Sequence, residues 1–274
     1  MAKIIMIQGT SSGVGKSILS TALCRIFKEE GFNVAPFKAQ NLSTNFHMLE
    51  NGDKMAKSQA LMAYACGTEP SALMNPVLIM PKSEIILCGK PVNIGDYAKL
   101  KEKSFTYVLK TFEELSKKHD IIVIEGAGSP VEMNLLKGDI VNMKLAESLN
   151  SPVILVSDIT RGGVFASLYG TMMLFTKNQQ NLVKGIVVNK FIGDVKSFED
   201  GVDIIEKLCK VPVLGVVPHT DIRLEDEDNL ADFSSLPKIE NTTQELEVEF
   251  SKISQHFRKY LDVPKIVNIL NGES

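Results

Sequence analysis

Gly9-Thr10-Ser11-Ser12-Gly13-Val14-Gly15-Lys16-Ser17 is the stretch of sequence that decides the fold. It follows the apolar run at residues 4–7 and precedes residues 18–27, where apolar side chains recur at helical spacing. A glycine-rich turn between a strand and a helix aims successive backbone N–H groups at one point, which suits an anion. We interpret the stretch as a phosphate-binding loop, in which Lys16 contacts phosphates and the Ser17 hydroxyl is a ligand of Mg²⁺.

The loop departs from its common spelling at one position. Thr10 stands six residues before Lys16, where a glycine is usual. The arrangement of strand, Gly-x-Gly-Lys-Ser and helix nevertheless favours nucleotide binding, with ATP and Mg²⁺ as the expected ligands. The nucleotide-binding residues expected in this stretch are Thr10, Ser11, Ser12, Gly13, Val14, Gly15, Lys16 and Ser17.

Further apolar runs along the chain predict the rest of the fold. They lie at residues 34–37, 121–124, 152–157, 184–188 and 211–218, and several contain only apolar residues, which is typical of strands buried on both faces. Segments with helical spacing separate them, including residues 55–66, 96–118 and 164 to about 177. The alternation predicts an α/β fold with a doubly wound, mostly parallel sheet.

Polar residues follow these strands, and the carboxyl ends of parallel strands meet at one edge of a sheet. The candidates at this edge are Lys38, Gln40, Asn41, Glu125, Asp158, Arg161, Asn189 and Lys190. Glu125 suits coordination of Mg²⁺, or alternatively caps the following turn. The Asn189 amide suits a purine edge, to which it can offer both donor and acceptor. Lys38 could instead be a solvated lysine, and Asp158 could pair with Arg161.

Composition excludes several classes of function. The chain has 274 residues, of which 44% are hydrophobic, and its net charge of −3 offers no basic field for nucleic acid. No apolar run reaches the roughly 18 to 20 residues that span a bilayer, so we expect no membrane segment and a cytoplasmic location. The four cysteines and four histidines are scattered, without the spacing of a zinc site or of a disulfide scaffold.

The character of the chain changes after residue 218. Residues 225–228 form a charge run typical of a solvated loop, and residues 234–237 resemble a linker. Apolar residues then recur at spacings of three and four from Leu246 to Leu261, which predicts an amphipathic helix. We expect an ATP-binding domain at residues 1–232, then a linker and amphipathic helix at residues 233–274. The apolar stripe should pack against that domain or against the second subunit of a homodimer.

Several separate motifs in one order resemble those of a known family. They lie at residues 8–17, 35–41, 74–78, 124–130, 158–167 and 188–191. From Gln8 to about residue 230, the chain resembles the N-terminal synthetase domain of the cobyric acid synthase family, cobalamin-pathway amidotransferases related to dethiobiotin synthetase. The resemblance implies a P-loop NTPase fold of the dethiobiotin synthetase-like type.

The family's chemistry implies roles for individual residues. ATP phosphorylates a peripheral carboxylate of a corrinoid, and ammonia displaces the acyl phosphate to give an amide. Lys16, Lys38 and Glu125 would be catalytic, Ser17 and Glu125 would hold Mg²⁺, and Asn189 with Lys190 would bind the nucleotide. The residues expected at the corrinoid are Gln40, Asn41, Gln59, Asp158 and Arg161.

The family normally continues into a glutaminase domain, and too few residues follow the last core strand here for one. We therefore expect ammonia from a separate source, such as a glutaminase subunit. Two other interpretations stay open: an ATP-dependent enzyme acting on another carboxylate, and a regulatory or partitioning ATPase. The latter type usually carries a second lysine at the start of its loop, where this chain has Ser11.

Overall fold

The computed structural model describes residues 1–81, 84–92, 97–135, 138–220 and 243–273. The charge run at 225–228 and the linker at 234–237 lie outside these ranges. The strands are β1 (Lys3–Gly9), β2 (Val34–Phe37), β3 (Gln40–Leu42), β4 (Phe46–Met48), β5 (Lys54–Ala56), β6 (Val77–Ile79), β7 (Ile85–Leu87), β8 (Lys90–Val92), β9 (Ile121–Glu125), β10 (Val153–Asp158), β11 (Val183–Phe191) and β12 (Val213–Pro218). The helices are α1 (Lys16–Glu29), α2 (Lys57–Cys66), α3 (Tyr97–Ser116), α4 (Met143–Leu149), α5 (Val164–Leu174), α6 (Lys177–Leu182), α7 (Glu199–Cys209), α8 (Thr243–Tyr260) and α9 (Val263–Asn271).

The central sheet has six strands in the order β12-β11-β10-β1-β9-β2, and every neighbouring pair is parallel. This confirms the predicted α/β fold. Residues of β1, β9 and β10 are buried on both faces of the sheet, as their apolar runs predicted. Because β1 lies between β9 and β10, the loop that follows β1 opens at the middle of the carboxyl edge.

Helices cover both faces of this sheet. Helices α1, α8 and α9 bury their apolar side chains against one face. Helices α4, α5 and α7, with the second half of α3, cover the other face. The hydrophobic core is therefore two layers, one on each side of the sheet, which is the doubly wound arrangement.

A second, smaller sheet lies between β2 and α3 in sequence. Its strands run in the order β3-β6-β7-β8. The buried amide of Asn75 ties this sheet to the first one, because Nδ2 donates to the backbone oxygen of Lys38 and to Oδ1 of Asn41, while Oδ1 accepts from the N–H of Ala56. This interaction fixes the segment that carries Lys38.

The helix expected to extend to about residue 177 ends earlier. Helix α5 stops at Leu174, and Thr176 caps a separate helix, α6. The Thr176 side chain accepts from the N–H of Gln179, whose side chain bonds back to the N–H of Thr176. This capping box starts a new helix and so breaks the old one.

The amphipathic helix expected near the C-terminus is α8, and it packs against the domain. Phe250, Ile253 and Phe257 are buried in the layer that contains α1. Arg25 of α1 donates to Glu247 of α8 at 2.8 Å, which fixes the register of the two helices. Among the described residues, no helix is both long and apolar enough to cross a membrane.

Candidate active site

The phosphate-binding loop links β1 to α1 at the carboxyl edge of the central sheet. Gly13 and Gly15 adopt left-handed backbone conformations, with φ of 72° and 98°. Residues other than glycine rarely adopt this backbone conformation. In addition, a Cβ atom at Gly15 would lie 2.1 Å from Nδ2 of Asn189. Glycine is therefore required at position 15, immediately before the first residue of α1.

Lys16 lies inside the loop rather than on the surface. Its side chain is buried, and Nζ donates to the backbone oxygens of Ser11, at 3.2 Å, and Gly128, at 3.1 Å. The ammonium thus lies between the phosphate-binding loop and the loop that follows β9. This position suits a point charge for anionic phosphates.

Glu125 accepts two hydrogen bonds on the same oxygen. The hydroxyl of Ser17 donates to Oε1 at 2.9 Å, and the ammonium of Lys38 donates to it at 2.8 Å. The side chains of Lys38 and Glu125 are only 4% and 1% exposed, so the alternative of a solvated lysine is wrong. A buried ion pair of this kind adds little net stability, because the cost of removing both charges from water offsets their attraction.

Residues at the ends of β10 and β11 brace the phosphate-binding loop. Nδ2 of Asn189 donates to the backbone oxygen of Val14 at 2.9 Å, and Nζ of Lys190 donates to that of Gly13. Lys190 also forms an ion pair with Asp158 at 3.0 Å. One Asn189 hydrogen is therefore used on the loop, while its Oδ1 has no hydrogen bond to any described residue.

Asp158 does not pair with Arg161, the alternative considered from the sequence. Its Oδ1 accepts from the backbone and hydroxyl of Thr160, and its Oδ2 pairs with Lys190. Burial by itself would raise the pKa of Asp158, but these hydrogen bonds and the pairing with Lys190 hold it below the ordinary value of 3.8. Arg161 is exposed at the same edge of the sheet.

Sequence reasoning missed Asn142, which positions the loop after β9. Its Oδ1 accepts from the N–H of Ala127 at 3.0 Å, and Nδ2 donates to the oxygen of the same residue at 2.8 Å. A Cβ atom at Gly126 would lie 2.6 Å from this Oδ1. Asn142 precedes α4, far from any strand end, so only the glycine at position 126 hinted at a close neighbour.

The residues expected at the substrate divide into two groups. Gln40, Asp158 and Arg161 have side chains that solvent reaches. Asn41 and Gln59 are buried, and Asn41 bonds within the small sheet to Asn75. Solvent therefore reaches the first three side chains, whereas the other two are buried.

The residues present fit a magnesium–nucleotide complex. The hydroxyl of Ser17 and the carboxylate of Glu125 offer two hard oxygen ligands, and Mg²⁺ takes its remaining ligands from phosphates and water. The left-handed glycines and the N-terminus of α1 form a cradle for phosphates, with Lys16 beside it. The metal ligands and the phosphate-binding backbone therefore both suit a magnesium–nucleotide complex.

Comparisons with known proteins also indicate a nucleotide-binding domain. The model of the CobQ/CobB/MinD/ParA nucleotide binding domain matches residues 5–230, a range that contains every residue of the site. A solved structure, the signal recognition particle receptor FtsY from Elizabethkingia anophelis, superposes with a TM-score of 0.50. The two sequences are 18% identical, and the superposition covers 91% of this chain and 66% of the FtsY chain. At this identity the similarity shows a shared fold alone.

Curated relatives are much closer in sequence. Cobyric acid synthase from Clostridium botulinum is 50% identical over 241 residues, which cover 85% of this chain and 49% of the relative. Cobyric acid synthase from Clostridium tetani is 46% identical over 258 residues, covering 87% of this chain and 52% of the relative. The chain thus spans about half the length of the relatives it matches. The resemblance found in the sequence is confirmed, and the chain belongs to the CobQ/CobB/MinD/ParA family of nucleotide-binding domains.

Proposed function

We propose that this chain catalyses the ATP-dependent amidation of side-chain carboxylates of a corrinoid, as the synthetase part of a cobyric acid synthase-like carbon–nitrogen ligase in the cytoplasm. One observation carries the proposal: half of 241 aligned residues are identical to a cobyric acid synthase. The buried network of Ser17, Lys38 and Glu125 supports it, because it supplies metal ligands and a second cation beside the phosphate-binding loop.

In the first half of the proposed reaction, a carboxylate oxygen of the corrinoid attacks the γ-phosphorus of ATP. An oxygen–phosphorus bond forms, the bond to the β-phosphate oxygen breaks, and ADP leaves with that electron pair. The product is an acyl phosphate. Phosphoryl transfer of this kind needs mainly positioning and charge neutralisation from the protein.

The residues of the site supply these two requirements. Lys16 and the N–H groups of the loop would neutralise the phosphate oxygens, and Lys38 would offer a second positive charge. Ser17 and Glu125 would hold Mg²⁺, which would draw charge away from the phosphates. The Oδ1 of Asn189 would accept from the amino group of adenine, while its Nδ2 keeps the loop in place.

In the second half, the nitrogen of ammonia attacks the acyl carbon. The carbon–nitrogen bond forms, phosphate leaves with the electrons of the carbon–oxygen bond, and the nitrogen loses a proton to give the amide. None of the four cysteines here suits a glutaminase nucleophile, because burial raises the pKa of the Cys24, Cys88 and Cys209 thiols, and Cys66 is buried against Cys24. Ammonia would come from solution or from a glutaminase site outside these 274 residues.

Trapping with hydroxylamine tests the acyl phosphate. Hydroxylamine captures acyl phosphates as hydroxamates, so wild-type chain with MgATP and a corrinoid acid should form a corrinoid hydroxamate, detected by mass spectrometry. Glu125→Gln should form far less. ADP formation with corrinoid acid but no hydroxamate would contradict the acyl-phosphate step, and hydroxamate from a different carboxylic acid alone would assign another substrate.

A further inference from the structure

The loop after β9 lies against the phosphate-binding loop. The backbone oxygen of Gly128 accepts a hydrogen bond from Nζ of Lys16 at 3.1 Å, across 112 positions of the chain. Gly128 has a left-handed conformation, with φ of 58°, and a Cβ atom there would lie 3.9 Å from Oγ of Ser12. Part of the position of the Lys16 ammonium is therefore set by the loop after β9, so whatever holds Gly128 also affects Lys16.

The side chain of Asn142 anchors this loop on both sides of Gly128. Its Oδ1 accepts from the N–H of Ala127 at 3.0 Å, while Nδ2 donates to the backbone oxygens of Ala127, at 2.8 Å, and Ser129, at 3.3 Å. One acceptor and two donors are needed at this position, which a carboxamide supplies and a carboxylate does not. The Gly128 carbonyl thus lies between two residues that are tied to one side chain.

Asn142 is itself held by the start of α4. The residue is 7% exposed, and a Cβ atom at Gly126 would lie 2.6 Å from its Oδ1, so the amide is closely packed. The carboxylate of Asp139 accepts from the backbone N–H groups of Asn142, at 2.8 Å, and Lys144, at 3.2 Å. Such an acceptor satisfies N–H groups that the first turn of a helix leaves without an intrahelical partner. The position of the amide is therefore set by α4.

We propose that Asn142 is a positioning residue for nucleotide binding: by holding Gly128, it aims the ammonium of Lys16 at the phosphates of a bound nucleotide. In this role Asn142 acts through Lys16 and is not a ligand of the nucleotide. A cation that is held in place before binding loses less freedom when the phosphates arrive, which raises the affinity. This role requires nucleotide binding at the phosphate-binding loop and does not require the corrinoid reaction.

Titration calorimetry of the full chain with MgATP and with AMP tests this role. Asn142→Asp keeps the shape and the acceptor but loses both donors, and Asn142→Ala removes the amide without adding charge. Each variant should raise the dissociation constant for MgATP by about tenfold, because Lys16 is no longer preorganised. AMP lacks the β- and γ-phosphates that Lys16 contacts, so its dissociation constant should change by less than about threefold. Asn178→Asp, at an exposed amide of α6, is the matched control and should bind both nucleotides as the parent does.

A double-mutant cycle with Lys16→Ala separates this role from a general loss of structure. In the Lys16→Ala background, either Asn142 variant should weaken MgATP binding by less than about twofold further, because the group that Asn142 positions is gone. This background also controls for the charge that Asn142→Asp brings near the phosphates, since repulsion of that kind does not need Lys16. Circular dichroism at the temperature of the titration checks that each variant is folded. Unchanged MgATP affinity in folded Asn142 variants would overturn the proposal, as would equal weakening of MgATP and AMP, or an undiminished loss in the Lys16→Ala background.

Discussion

The Nζ atom of Lys38 lies 2.8 Å from Oε1 of Glu125, and solvent reaches almost none of either side chain. The same oxygen accepts a hydrogen bond from the hydroxyl of Ser17, so one carboxylate joins the first turn of α1 to the segment after β2 that carries Lys38. Removing one charge of a buried pair leaves the other uncompensated, which costs about 3–5 kcal/mol. Stability and catalysis therefore depend on the same group and need separate measurements.

The first prediction separates these two roles of Glu125. Glu125→Gln should lower the melting temperature, lower ATP turnover and raise the Mg²⁺ concentration that turnover requires. Adding Lys38→Met to this variant removes the uncompensated charge and should recover much of the stability without recovering turnover. Glu113→Gln, at an exposed carboxylate of α3, is the control. Unchanged Mg²⁺ dependence in Glu125→Gln would make this residue structural only.

The second prediction concerns Lys16. Lys16→Ala should lower turnover by about 100- to 1,000-fold, because one electrostatic contact to the reacting group is worth about 3–4 kcal/mol. Steady-state rates of ADP formation measure this effect. Lys117→Ala, at an exposed lysine, should keep the parent rate. Equal rates and equal nucleotide affinity in Lys16→Ala and the parent protein would remove Lys16 from the site.

The third prediction concerns the brace on the phosphate-binding loop. Lys190 contacts Gly13 and Asp158, and we expect this to fix the loop before nucleotide binds. Lys190→Met should raise the dissociation constant for MgATP by about tenfold, the effect of losing roughly 1.4 kcal/mol of preorganisation. Titration calorimetry measures it, with Lys184→Met, on the same strand, as the control. If both variants bind MgATP as the parent does, the brace has no role in binding.

The fourth prediction is a pH dependence of the α1–α8 contact. Burial raises the pKa of Glu247, but Arg25 and Lys28 outweigh this and hold it below the ordinary value of 4.5. A carboxylate with a lowered pKa contributes stability above its unfolded-state pKa, and the contribution disappears as the pH falls through the folded-state value. Glu247→Gln should therefore cost about 0.5–1 kcal/mol of unfolding free energy at neutral pH, since the side chain is partly exposed. Urea unfolding at several pH values should show this difference vanishing well below pH 4.5. A difference that persists in acid would contradict the ion-pair explanation.

Local signals in the sequence predicted the central fold and the middle of the site. The Gly-x-Gly-Lys-Ser spelling identifies its loop by itself, and an apolar run that ends at Glu125 predicts a carboxylate at the sheet edge. Both need only the residues next to them in the chain.

The rest depended on contacts between distant residues. Asp158 pairs with Lys190 rather than Arg161, because β10 and β11 are neighbours and their register places Asp158 beside Asn189. Asn75 and Asn142 look like ordinary loop residues in the sequence, and their roles appear only when the segments they brace are side by side. The spacing of apolar residues along the sequence cannot predict hydrogen-bond partners that are distant in the chain.

The measurement that tests the central claim most directly is isotope transfer into the corrinoid. Purified chain, MgATP and a corrinoid acid are incubated with ¹⁵N-ammonium or with glutamine labelled at its amide, and the product is analysed by mass spectrometry. We predict ADP formation that requires the corrinoid acid, with ¹⁵N in a new corrinoid amide from ammonium and none from glutamine. Label from glutamine would contradict the assignment of the ammonia source. The absence of any labelled amide, with ATP turnover indifferent to the corrinoid acid, would contradict the proposed function.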